Sequence, residues 1–282
     1  MNFELIIESL FVSFVPLLVF FAVLFILVPE MKFTHGLLSC FLGLMAVIPI
    51  CVIQFWLDSK NLAHPSTMQG FFLMMILAVG VTEEFVKMVL LLGLPVKKME
   101  LPDFFSCSLL AGFSVGCFES LLYTVSGISS IGIRLFTAVI LHSFCAGLSG
   151  IFIYSLKHKC LQVMPFIFAV LFHGIYDYFV SLDSSSFFYY FSFLVILISI
   201  VECRAGYTKV KYILLKREEP PVNPSAATVV DEKASSGKSK KLTSKSFSRS
   251  TVSGRKSKTS SSKIDSSKVG TFEKKSVSPK RK

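Results

Sequence analysis

Seven long apolar runs, broken by short polar stretches, fill the chain as far as Cys203. They lie at about residues 9–28, 37–57, 70–94, 104–125, 131–155, 163–181 and 187–203, and each approaches the roughly 20 apolar residues that a helix needs to cross a bilayer. The breaks carry Pro29-Glu30, Asp58-Ser59-Lys60-Asn61 with His64-Pro65, Lys97-Lys98 with Pro102-Asp103, Lys157-His158-Lys159 and Asp183-Ser184-Ser185-Ser186. Proline, small polar residues and charges end apolar helices at such points. The pattern predicts an all-α fold, a polytopic transmembrane helical bundle of about seven spans.

Composition divides the chain in two. Residues 1–216 contain as many Lys and Arg as Asp and Glu, so the whole net charge of +11 sits on residues 217–282. That segment is rich in Ser and Lys, opens with Pro220, Pro221 and Pro224, and has little to bury. It reads as a disordered basic tail following a transmembrane domain at 1–216. Its charge would be drawn to anionic lipid, and no specific nucleic acid is expected as a partner.

The loop charges predict an orientation. Placing the basic tail in the cytoplasm puts Lys32, Lys97, Lys98, Lys157 and Lys159 on the same side, and leaves Lys60 and Arg134 on the other. This satisfies the positive-inside rule with the N-terminus outside and the C-terminus cytoplasmic, in a plasma membrane or bacterial inner membrane. The first ten residues contain Glu4 and Glu8 but no Lys or Arg, so the first run reads as a retained span rather than a signal peptide. The seven cysteines form no CxxC pair and read as small packing residues.

The spans also contain ionisable groups, each costing about 2.5–3.5 kcal/mol at a helix centre on the insertion scale. Glu83, Glu84 and Lys87 fall in the third run, Glu119 and Tyr123 in the fourth, His142 in the fifth, and His173 and Asp177 in the sixth. Glu83 and Lys87 are four residues apart and can pair on one face, which leaves Glu84 over. His173 and Asp177 share a face in the same way. Counted from the outer ends of their spans, these groups reach overlapping depths between the midplane and the outer face, with Glu83 deepest. His35, His64 and His158 fall in or beside loops and read as surface histidines, and Glu202 and Arg204 read as interfacial anchors of the last span.

Such a cluster has three chemical uses. Carboxylates and imidazoles can hold a metal ion. A desolvated carboxylate can activate water against an amide while a histidine stabilises the oxyanion or protonates the leaving amine. The same groups can relay protons or ions, so a proton- or solute-coupled transporter is the rival reading. Gly112 and Gly116 form a GxxxG, and Gly174 adjoins His173, so the helices can approach closely around these groups.

The runs Glu83-Glu84-Phe85-Val86-Lys87, Glu119-Ser120-Leu121-Leu122-Tyr123, Arg134 through His142 to Gly150, and His173-Gly174-Ile175-Tyr176-Asp177 resemble the PrsW family of intramembrane proteases over about residues 70–180. They follow its EExxK, ENxxY and HxxxD patterns in order, with Ser120 where the family has Asn. Lys87 three residues after Glu84, and Asp177 in place of Asn, set the chain apart from the related CAAX prenyl endopeptidases.

The resemblance implies an endopeptidase that cuts a membrane-anchored protein near the outer face, an anti-sigma factor in the family's known cases. Glu83, Glu84, His142 and His173 would be the catalytic residues, with Lys87, Glu119 and Asp177 in support. Glu83 or Glu84 would be the general base, with Glu84 favoured because Lys87 can pair with Glu83. Glu84, His142 and His173 are the candidate ligands of a divalent metal such as zinc; a glutamate-type mechanism without metal is the other form. A non-catalytic peptide-binding scaffold of the same fold, as in immunity proteins, is a further alternative. Hydrolysis at this depth requires a water-filled cavity open toward the outer face.

Overall fold

In the computed structural model, residues 3–60, 65–126 and 136–218 are described, and all regular structure among them is helical. The expected disorder beyond residue 218 lies outside the described residues, as do His64 and Arg134. Helix α1 spans Phe3–Leu27 and α2 spans Phe33–Ser59. Helix α3, Met68–Met74, runs through a π-helical segment, Met75–Gly80, into α4, Val81–Leu91. After a 3-10 turn at Val96–Lys98 come α5, Leu101–Val125, and α6, Ala138–Lys157. Helix α7, Met164–Val180, and a 3-10 turn at Phe187–Tyr190 lead into α8, Phe191–Glu218.

Five of these segments are long and apolar enough to cross a membrane. The third expected span is present as the continuous run α3–π–α4, and the sixth as the 17-residue α7. A helix of 17 residues reaches about 26 Å, close to the roughly 30 Å hydrocarbon thickness. The chain is thus a multi-pass helical membrane protein.

Local sequence sets several ends. Thr67 caps α3 by accepting a hydrogen bond from the Gly70 amide at 3.1 Å. Pro102 and Pro165 stand in the first turns of α5 and α7, where no amide is needed. Lys159, with φ 57°, closes α6 in the left-handed conformation, and the Cys160 amide returns to the Ser155 carbonyl at 2.8 Å.

The ending expected at Cys203 is corrected: α8 continues through Glu202 and Arg204 to Glu218, because no proline interrupts a Lys- and Leu-rich stretch of good helix formers. Glu202 therefore lies within the helix instead of closing it.

Helices α5 and α6 form the centre of the bundle. Most of their residues are buried, while α1, α2 and α8 turn most of theirs outward. Phe104, Leu110, Leu141, Leu148 and Ile151 fill the interior, and large apolar side chains such as Leu18, Ile26 and Phe55 cover the outside. An apolar outer surface over an apolar interior fits hydrocarbon as the surrounding solvent.

Small residues let the helices meet where the polar groups lie. A Cβ on Gly112 would run into the backbone carbonyl of His142, so glycine is required for α5 to seat against α6 there. A Cβ on Gly174 would lie 2.5 Å from the Ile76 Cα, which brings α7 onto the π segment. A π turn inserts more residues per turn and rotates the face presented by the residues after it. Here it immediately precedes Glu83 and Glu84.

Candidate active site

The helix after the π segment directs Glu83, Glu84 and Lys87 into the bundle, where all three are buried. Helix α6 contributes His142 and α7 contributes His173, both buried. The two imidazoles meet edge to face with ring centres 4.8 Å apart. Glu119 from α5 and Asp177 from α7 complete the group, each contacting a histidine. All seven candidate residues thus converge, from four stretches of chain.

The expected pairing of the acids is corrected by the geometry. Lys87 Nζ lies 2.7 Å from Glu84 Oε1 but 3.6 Å from Glu83 Oε2. Residues three and four apart both neighbour Lys87 on a helix, and the packing chooses the nearer one. Glu84 is fully buried and saturated: Oε1 receives Lys87 and His173 Nδ1 at 2.6 Å, and Oε2 receives the Ser149 hydroxyl at 3.2 Å. Glu83 is the acid on a cavity wall.

Each imidazole has one nitrogen held by an outer carboxylate. His173 Nδ1 faces a carboxylate oxygen at 2.6 Å, so it carries a proton, while Nε2 is turned toward Glu83 and Asp177. His142 Nε2 lies 2.5 Å from Glu119 Oε2 and carries the proton by the same reasoning, leaving the lone pair on Nδ1. His173 Nε2 and His142 Nδ1 both face one atom, Glu83 Oε2, at 3.2 Å and 3.8 Å. Glu83 Oε2 is itself buried and accepts no hydrogen bond. A cation suits three such atoms brought together in a buried place, and Lys87 Nζ lies 2.9 Å from His142 Nδ1.

A divalent metal fits this set. Glu83, His142 and His173 each offer one donor atom, all within 4.8 Å of one another. Glu84 behind His173 and Glu119 behind His142 supply the carboxylate partners that fix metal-binding histidines. Four carboxylates, Glu83, Glu84, Glu119 and Asp177, surround one ammonium and two imidazoles, so negative charge stays in excess even with both rings protonated. The group that could hold a metal thus contains Glu83 where the sequence reading placed Glu84.

A cavity of about 170 Å³ opens beside the cluster, lined by Glu83, Glu119, Tyr123, Cys51, Gln54 and Ser126 among others. It follows α2 and α5 toward their C-terminal ends, the ends assigned to the outer side from the loop charges. Gln54 donates to Glu83 Oε1 at 2.9 Å and fixes the carboxylate at the cavity wall. Gln54 and Ser149 are the two site residues that sequence reasoning missed. Neither carries charge, though a lone amide in the apolar run 37–57 was a readable signal.

The remaining histidines are less plain than expected. His35 Nδ1 pairs with the buried Asp103 at 2.8 Å and joins α2 to α5, so it is no ordinary surface histidine. His158 stacks on Tyr154 with ring centres 4.0 Å apart.

A polytopic helical bundle with a buried Glu-His-His group beside a cavity has the donor set of a membrane metalloenzyme. Residues 32–201, more than half of the chain, match the PrsW family of intramembrane metalloproteases, and the chain belongs to that family. No curated protein and no solved structure matches it. Membership makes it a membrane protease acting on membrane-anchored substrates.

Proposed function

We propose that this protein hydrolyses a peptide bond of a membrane-anchored protein at the wall of the cavity between α2 and α5. The observation that carries the reading is the convergence of Glu83 Oε2, His142 Nδ1 and His173 Nε2 beside that cavity. Glu83, His142 and His173 would hold a divalent metal, zinc being the best match to a two-histidine, one-carboxylate set, and the metal would supply a polarised water.

The chain's own residues perform the rest. Glu119 shares the cavity with Glu83 and takes the proton of the attacking water, while His142 holds it through the 2.5 Å contact. Lys87 offers an ammonium beside the reacting centre, where negative charge develops on the carbonyl oxygen. Glu84 accepts from His173 Nδ1 and so turns Nε2 toward Glu83, with Asp177 3.4 Å from that Nε2. Gln54 fixes Glu83. Buried walls keep the polar groups from being solvated elsewhere, which strengthens each of these interactions.

The cavity's exit at the ends of α2 and α5 supports cleavage near the outer face, with the N-terminus outside and the basic tail in the cytoplasm. An anti-sigma-factor-like protein is the substrate class that the family resemblance supports.

The test uses the full chain in lipid nanodiscs with a membrane-anchored reporter. Cleavage is expected to stop on chelation and to return with zinc. Cleavage that survives complete metal removal would contradict the metal-dependent form.

A further inference from the structure

A second polar feature lies at the far end of α4, away from the Glu-His-His centre. The turn between α4 and α5 and the end of α6 enclose a cavity of about 240 Å³. Lys97, Lys98 and Lys157 line it, all exposed, over a floor that includes Leu94 and Pro95. No carboxylate among the described residues forms an ion pair with any of the three lysines. Glu100, the nearest acid in sequence, is not in the lining.

The cradle is built in advance. The Lys98 amide donates to the Pro95 carbonyl at 2.8 Å, and the Tyr154 hydroxyl ties α6 to the Met99 carbonyl at 3.3 Å. Leu94 and Val96 are buried and anchor the turn. Three cations held together without counter-charge favour a phosphate-bearing anion.

An apolar track leads into the same cradle. Val81, Phe85, Val89 and Leu92 are exposed, and their spacing of four, four and three residues places them on one face of α4. From Val81 to Leu92 the helix rises about 16 Å, close to half the roughly 30 Å hydrocarbon core and therefore to one leaflet. Glu84 and Lys87 are buried on the inward side of this helix. Leu92 belongs both to the track and to the cradle lining.

We propose that Lys97, Lys98 and Lys157 bind the phosphate headgroup of an anionic phospholipid whose acyl chain lies along Val81, Phe85, Val89 and Leu92. A soluble phosphate compound would use the lysines and leave the track unused. The chain's own basic segment 217–282 carries the same sign of charge and is no candidate ligand.

The experiment is native mass spectrometry of the full chain after exchange into phosphatidylglycerol or phosphatidylcholine. One phosphatidylglycerol is expected to stay bound, and the Lys97→Gln, Lys98→Gln, Lys157→Gln variant is expected to hold it about 10- to 100-fold more weakly. A control variant with Lys209→Gln, Lys211→Gln and Lys216→Gln is expected to retain it. Leu92→Ser with Val89→Ser is expected to weaken the lipid but not glycerophosphate, the soluble headgroup probe. Equal loss in both lysine variants would reduce the effect to diffuse surface charge and overturn the site. Equal retention of the two lipids, or glycerophosphate binding as tightly as phosphatidylglycerol, would also overturn it.

Discussion

Glu84 Oε1 and His173 Nδ1 lie 2.6 Å apart, and this contact decides which nitrogen of His173 is turned toward Glu83. The two adjacent glutamates therefore differ in kind. Glu84 is wrapped by Lys87, His173 and Ser149, whereas Glu83 faces the cavity and both imidazoles.

Glu84→Gln is expected to lower both stability and activity. The substitution leaves Lys87 without its closest counter-charge, and breaking a buried pair costs about 3–5 kcal/mol. Thermal unfolding of the purified variant in detergent checks this. An unchanged Tm would show that the Lys87–Glu84 pair contributes little.

Lys87→Met is expected to destabilise by a similar amount, since it strands Glu84 and deprives His142 Nδ1 of a donor. Combined with Glu84→Gln it is expected to cost less than the sum of the two. A double-mutant cycle on Tm gives the coupling, and additive losses would mean that the two side chains act separately.

Gly174→Leu is expected to push α7 off the π segment, since even a Cβ there comes within 2.5 Å of the Ile76 Cα. Overpacking costs about 1–3 kcal/mol, and a displacement of His173 would remove cleavage as well. Reporter cleavage measured beside Tm separates the two effects; full activity would show that the crossing does not set the site.

Gln54→Leu removes the donor to Glu83 Oε1 while keeping the approximate volume. Loss of such an outer partner typically costs 10- to 100-fold in metal affinity or activity, so a drop of about that size with near-normal folding is expected. Zinc titration of the purified variant measures it, and affinity equal to the parent's would remove Gln54 from the site.

Much of this centre was legible in the sequence because charge in lipid is costly enough to need a reason. That argument found Glu83, Glu84, Lys87, Glu119, His142, His173 and Asp177, and helical spacing found the His173–Asp177 contact. Spacing alone could not choose Lys87's closest partner, because three and four residues are both neighbourly and the π turn leaves no mark in composition. Gln54 escaped because a neutral amide carries no such cost. The His35–Asp103 pair escaped because an acid in the first turn of a helix already has a sufficient explanation in the helix dipole. The end of α8 was misplaced because hydropathy falls at Glu202 while helix propensity does not.

The most direct test compares the parent protein with Glu83→Gln for cleavage of a membrane-anchored reporter in nanodiscs. The parent is expected to cut it, and the variant to fold with a near-normal Tm and lose at least about 100-fold in rate, as for loss of a ligand to the metal that would polarise the attacking water. Undiminished cleavage by Glu83→Gln would contradict the assignment of this centre.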